Sequence, residues 1–207
     1  MSKILVIQSS PRSNERSVSR KLTNTFVEQW LKQHPESKVV TRDVAREPVP
    51  HVSEDWIVGA FSPADTLTPG AKAAIGISNE LVDELLSADR YVFGAPMYNF
   101  NIPSTLKAYL DQIVRVGRTF SVGPDGYQGL VKNKKALFVT SSGGSFPAGS
   151  PYAAYNFQEP YLRAVAAFLG ITDVQFVVAD GLARGDEAAQ NSVAKAEVAL
   201  KELVTSW

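Results

Sequence analysis

The chain has 207 residues, 44% of them hydrophobic and 20% charged, an ordinary balance for one globular domain with a sizeable core. Its 21 basic and 21 acidic side chains cancel, which leaves no field to draw nucleic acid or an anionic membrane. Cysteine is absent, so disulfides, thiolate metal sites and a cysteine nucleophile are excluded.

The amino terminus, MSKILVIQSS, carries one lysine and then four unbroken apolar residues, too short for a signal segment or a membrane span. A cytoplasmic protein is expected. Ile4 to Ile7 reads as a strand covered on both faces, broken by Ser9-Ser10-Pro11-Arg12-Ser13-Asn14. From Ser17 onward, Leu22, Phe26 and Trp30 recur at four-residue spacing, the stripe of an amphipathic helix ending near His34-Pro35. Lys38 to Asp43 reads as a second strand. Residues 46 to 70, with Pro48, Pro50, Pro63 and Pro69, read as a long irregular excursion. Ile75, Val82 and Leu85 then mark a second helix.

Tyr91 to Ala95 is a buried strand that meets Pro96 and sheds into Met97-Tyr98-Asn99-Phe100. Pro103 is placed to open a helix carrying Leu106, Leu110, Ile113 and Val114, with Gly117 as its stop. Arg118 to Val131 alternates around Gly123-Pro124-Asp125-Gly126, which predicts a hairpin or flap. Ala136 to Thr140 is a further strand, closed by Ser141-Ser142-Gly143-Gly144. A loop from Ser145 to Phe157 leads to a helix through Leu162, Ala166 and Leu169 that ends at Gly170. Val174 to Ala179 is the fifth strand, and Val193, Glu197, Leu200 and Val204 lie on a final helix. Five strands alternating with five helices predict an α/β fold: one domain over residues 1–207, a doubly wound five-stranded parallel sheet with right-handed crossovers, taken in the order 2-1-3-4-5.

In that order the first, third and fourth strands end side by side, so their loops build one site. The first loop offers serines at a helix start, where hydroxyls and free N–H groups suit a phosphate; Ser17 also fits a plain helix cap. Neither a glycine-rich dinucleotide fingerprint nor a GxxxxGK[ST] loop is present. Met97 to Phe100 offers a thioether, two rings and an amide, a set suited to covering a flat heteroaromatic ring. Gly143 and Gly144 bring bare backbone to its opposite edge. The two histidines, His34 and His51, fall at a helix end and in the excursion, and suit neither a general base nor a metal pair. No GxSxG elbow supports hydrolysis.

These residues carry a resemblance. The serine-rich entry loop, the APMYNFNIPS segment, the Ser-Ser-Gly-Gly turn and the Gly170-Ile171-Thr172-Asp173-Val174 lead into the last strand resemble the FMN-dependent NADH:quinone oxidoreductase and azoreductase family of bacteria. The resemblance covers nearly the whole chain. It implies a flavodoxin-like fold with helices on both faces of the sheet, one non-covalent FMN per subunit, NADH or NADPH as co-substrate, and a homodimer with active sites at the subunit interface. By residue matching it implies that Ser10, Ser17, Val18 and Ser19 hold the phosphate. Met97, Tyr98, Asn99 and Phe100 would face the isoalloxazine, with Ser141, Ser142, Gly143 and Gly144 along its pyrimidine edge. Hydride would pass to the flavin and two electrons on to a quinone or azo compound in a ping-pong cycle, so no side chain is assigned a catalytic role. Position 142 is Ser where some relatives carry Arg. Phe120, Tyr127 and Phe157 are further candidates for stacking on substrate, and Trp56 and Phe61 for an interface.

Two other readings fit the same fold: a non-catalytic electron carrier and a ligand-binding regulatory module. Carriers of this kind are strongly acidic, and this chain is neutral, which counts against the first.

Overall fold

In the computed structural model, which describes residues 2–207, five parallel strands form one sheet: β1 (Lys3–Gln8), β2 (Lys38–Asp43), β3 (Arg90–Pro96), β6 (Lys135–Ser141) and β7 (Asp173–Ala179). Their order is β2-β1-β3-β6-β7, the expected 2-1-3-4-5 arrangement once the hairpin strands β4 (Phe120–Gly123) and β5 (Gly126–Gly129) are set aside.

The unbroken apolar runs have their cause in burial on both sides. Leu5 and Ile7 of β1 join one core with Tyr91, Phe93, Ala136 and Phe138, while Ile4 and Val6 face the other with Val92, Leu137 and Val139. The first core is covered by α3 (Pro69–Ser87), α4 (Ser104–Ile113) and α5 (Gln158–Leu169), the second by α1 (Val18–Gln33) and α6 (Asp186–Ser206). Across the first face Phe93, Phe138 and Phe176 lie in register and stack at 4.8 Å. Gly94 faces α1 at close quarters: a Cβ there would lie 2.6 Å from Gln8 Oε1 of β1 and 2.8 Å from Thr23 Oγ1 of α1.

Three expectations need correction. The excursion after residue 46 contains a sixth helix, α2 (Glu54–Phe61), and a 3₁₀ turn at Ala64–Thr66. Ser53 caps α2 by accepting the Trp56 amide, and the acidic Glu54 and Asp55 lie where the helix dipole favours them. Trp56 is buried, donating its indole N–H to Gln112 Oε1 at 2.7 Å, whereas Phe61 is 69% exposed. Finally, α4 stops at Ile113, before Gly117, because the Thr119 hydroxyl donates to the Ile113 carbonyl at 2.7 Å and accepts the Arg115 amide at 2.8 Å.

The hairpin packs on the end of α5. Gly170 caps that helix in the left-handed region (φ 95°), and Gly129 lies so close that a Cβ there would overlap the Gly170 amide. Among the described residues no helix is long and apolar enough to cross a membrane.

Candidate functional site

The carboxyl ends of β1, β3 and β6 meet on one rim, as their adjacency in the sheet requires. Behind β1, Ser9 is tied to β3, its amide and hydroxyl both donating to the Gly94 carbonyl. Ser10 is buried, residues 11 to 16 are exposed, and Ser17 returns to cap α1 by accepting the Arg20 amide. Ser19 is fully buried, its hydroxyl 3.3 Å from that of Ser17. The amides of Val18 and Ser19 donate to no backbone carbonyl among the described residues, as the first turn of a helix dictates. Ser17 therefore serves as a cap and as part of an anion-friendly helix start at once.

After β3 the chain makes a tight reversal. Tyr98 and Asn101 exchange amide-to-carbonyl bonds at 2.9 and 3.0 Å, and the two residues between them both have positive φ, 47° at Asn99 and 71° at Phe100. That is a two-residue turn of the kind glycine and asparagine favour, and a phenylalanine in it is strained. Its surroundings hold it: the Phe100 carbonyl accepts the Phe157 amide at 3.1 Å, and the Phe100 ring lies 5.2 Å from Tyr155 and 6.1 Å from Phe146.

The turn after β6 is bound to both neighbours by main chain. Met97 donates its amide to the Ser141 carbonyl at 2.7 Å. On the other side Leu182 and Ala183 donate to the carbonyls of Ser142 and Gly143 at 3.1 and 3.0 Å. The Ser142 hydroxyl turns back to the Gly144 carbonyl at 2.7 Å.

These turns enclose a cavity of about 230 Å³ that brings Ser10, Ser17 and Val18 together with Met97, Tyr98 and Ser141 to Gly143. Met97 and Ser142 also line an adjoining cavity of about 530 Å³ beneath the loop from Phe146 to Asn156. Asn99 faces a third recess, of about 410 Å³, with Tyr98, Lys107 and Tyr161.

Most of the residues expected at the site are thus on one rim. Phe157 stands at the base of the Asn99–Phe100 turn, its ring 55% exposed. Phe120 and Tyr127 lie elsewhere within the chain, packed on Phe168 at 4.7 and 5.5 Å. Phe168 is ten residues along α5 from Gln158, or about 15 Å of helix. His34 lies against Trp30 with ring centroids 4.1 Å apart and planes tilted by 33°, and His51 is exposed. Sequence reasoning missed Leu182 and Ala183, whose loop has no telling composition. It also missed Gln158, buried at the wall of the larger cavity with its amide donating to the Ala95 carbonyl at 3.2 Å.

Comparison with known proteins agrees with this architecture. The family described as having a flavodoxin-like fold matches residues 2–204. An FMN-dependent NADH:quinone oxidoreductase of Trichormus variabilis is 56% identical over 208 residues, covering all of both chains. The chain belongs to the FMN-dependent NADH:quinone oxidoreductase family. Another member of the family, from Azotobacter vinelandii, is 47% identical over 98% of this chain and all of its own. Among solved structures, an FMN-dependent NADH-azoreductase of Bacillus anthracis in complex with FMN superposes with a TM-score of 0.89 at 30% identity, over 99% of this chain and 100% of that one.

Proposed function

We propose that the chain seats FMN on this rim and uses it to carry two electrons from a nicotinamide dinucleotide to a quinone or azo compound in a ping-pong cycle. The observation that carries the reading is the convergence of a serine-rich helix start, Met97 and Tyr98 after β3, and Ser141 to Gly143 after β6 around one cavity, with Met97 and Ser142 shared by the larger cavity beside it. Family membership supports the general reaction.

The residues present fit the cofactor. Ser10, Ser17 and the amides of Val18 and Ser19 would hold its phosphate, with neutral donors at a positive helix end. Met97 to Phe100 would cover the flat ring. The Ser141–Gly144 turn would meet the pyrimidine edge with bare backbone at its two glycines, positions that the chain itself crowds: a Cβ at Gly144 would lie 2.8 Å from the Phe146 ring and one at Gly143 3.3 Å from Ala183 Cβ. Bound FMN would supply hydride acceptance from the dinucleotide and electron delivery to the second substrate. The chain supplies orientation and electrostatics: the amides of Gly143 and Gly144 donate to no backbone carbonyl among the described residues and are available to the edge of the ring where negative charge develops.

We also read the working unit as a homodimer. Ile57 (50% exposed) and Phe61 (69%) on α2, with Val122 (61%) and Tyr127 (71%) on the hairpin, leave apolar surface that a second copy would cover. In that assembly Phe120 and Tyr127 would serve the partner's site.

Anaerobic mixing of the FMN-loaded protein with NADH, and separately with NADPH, tests the enzymatic reading. Flavin absorbance bleaches within seconds and returns on adding a quinone; persistence of the oxidised spectrum with both donors removes the enzyme and leaves the carrier or the binding module. Sedimentation of the loaded protein at the mass of one chain would refute the dimer.

A further inference from the structure

Arg20 is a cation in the first turn of α1, where the helix dipole disfavours positive charge, and only 3% of it is exposed. Such a residue persists only when fully partnered. Its Nε and Nη2 donate to the Ser10 carbonyl at 2.9 and 2.5 Å, and its Nη1 and Nη2 donate to the two carboxylate oxygens of Asp43 at 2.6 and 2.8 Å. Asp43 closes β2, and its Oδ1 also accepts the amides of Ala45 and Arg46 at 3.2 Å. One guanidinium therefore ties together the ends of two strands and the start of a helix.

The pair matters to the serine loop through geometry. Asp43 already balances the charge of Arg20. What the guanidinium adds is a fixed direction for the Ser10 carbonyl, pulled inward beneath the loop. The peptide that follows leads into Pro11 and has no N–H to present. Were it to rotate, a carbonyl oxygen would face the mouth that Ser10, Ser17 and Val18 line, and its partial negative charge would meet any anion there.

We propose that Arg20 and Asp43 are positioning residues that hold the Ser10 carbonyl away from the phosphate end of the cavity, and so make the site select phosphorylated flavin over the same flavin without its phosphate. This rests on the reading that the cavity seats FMN. A structural brace of no functional consequence would weaken both flavins alike. The latch acts only on the ligand that carries the anion.

The test is titration of the full chain, freed of flavin, with FMN and with riboflavin, read by quenching of flavin fluorescence. It compares the parent with Arg20→Lys and Asp43→Asn. A lysine reaches the carbonyl or the carboxylate but not both, with one point of attachment in place of a fork. An asparagine keeps an acceptor for the Ala45 and Arg46 amides while releasing Arg20, so it supplies the same readout if the lysine variant does not fold. In each variant the FMN dissociation constant rises about tenfold, the worth of one charge-assisted hydrogen bond, while the riboflavin constant stays within about twofold. Equal weakening of both ligands, or unchanged FMN binding, overturns the latch. If the parent itself binds no FMN, the cofactor reading falls first and the latch with it.

Discussion

The indole N–H of Trp56 donates to the side-chain oxygen of Gln112 at 2.7 Å, both residues being buried, and the amide of the same Gln112 donates to the Pro50 carbonyl at 2.8 Å. A single side chain on α4 thus fastens both α2 and the proline-rich segment before it. Trp56→Phe removes the indole donor and leaves a buried acceptor unpaired. It lowers unfolding free energy by about 1–3 kcal/mol, read from urea midpoints at constant slope.

At Gly94 the constraint is space. An alanine there meets Gln8 Oε1 and Thr23 Oγ1 inside 3 Å, on the floor of the serine loop. Gly94→Ala destabilises the chain by about 1–3 kcal/mol, because the buried Gln8 and Thr23 side chains must give way between the sheet and α1. A calorimetric scan in which the variant melts with the parent would show that the helix has slack here.

The left-handed turn yields an order of stabilities. Phe100 sits at φ 71°, where glycine is unstrained and a β-branched residue most strained. Phe100→Gly is more stable than Phe100→Val by more than about 1 kcal/mol in denaturant titration. The reverse order would mean that the turn does not have this shape.

Asp43 gives a pH dependence of known sign. Burial raises its carboxyl pKa, but the hydrogen bonds and charge of Arg20, with the Arg46 and Ala45 amides, outweigh that and hold it below the usual carboxylate range. A lowered folded value means the contribution is complete above the ordinary carboxylate pKa and is lost as pH falls through the lowered one. The stability advantage of the parent over Asp43→Asn is therefore flat near neutrality and shrinks in acid. A difference that grows on acidification would contradict the assignment. Arg46, with Nε 3.6 Å from Asp43, is exposed enough that salt screens its share.

What could be read in the sequence divides along burial. Ile4 to Ile7, Tyr91 to Ala95 and Ala136 to Thr140 announce themselves because both faces of their strands are covered, and the strand order then places three loops together. The serine loop and the two turns carry unusual residue types, and these were legible too. The eight residues of α2 are harder to read: Ser53 and the acidic Glu54 and Asp55 mark its start, but the helix is short, lies among prolines and has its buried Trp56 bonded to Gln112, 56 positions away. The end of α4 was misplaced for a similar reason: Gly117 is the visible stop, but the hydroxyl of Thr119 closes the helix earlier. Leu182 and Ala183 enter the cavity wall through their backbone bonds to Ser142 and Gly143, and such bonds leave no trace in composition.

Those same bonds bear on how such a protein can change. The frame of the rim is stitched amide to carbonyl, from Met97 to Ser141 and from Leu182 and Ala183 to Ser142 and Gly143, and any amino acid but proline preserves an amide. Except at Gly143, where a Cβ would lie 3.3 Å from Ala183 Cβ, a side chain at these positions can be exchanged without unpicking those bonds. New acceptor molecules can be admitted by point substitution, and the scaffold keeps its shape while its tastes diverge.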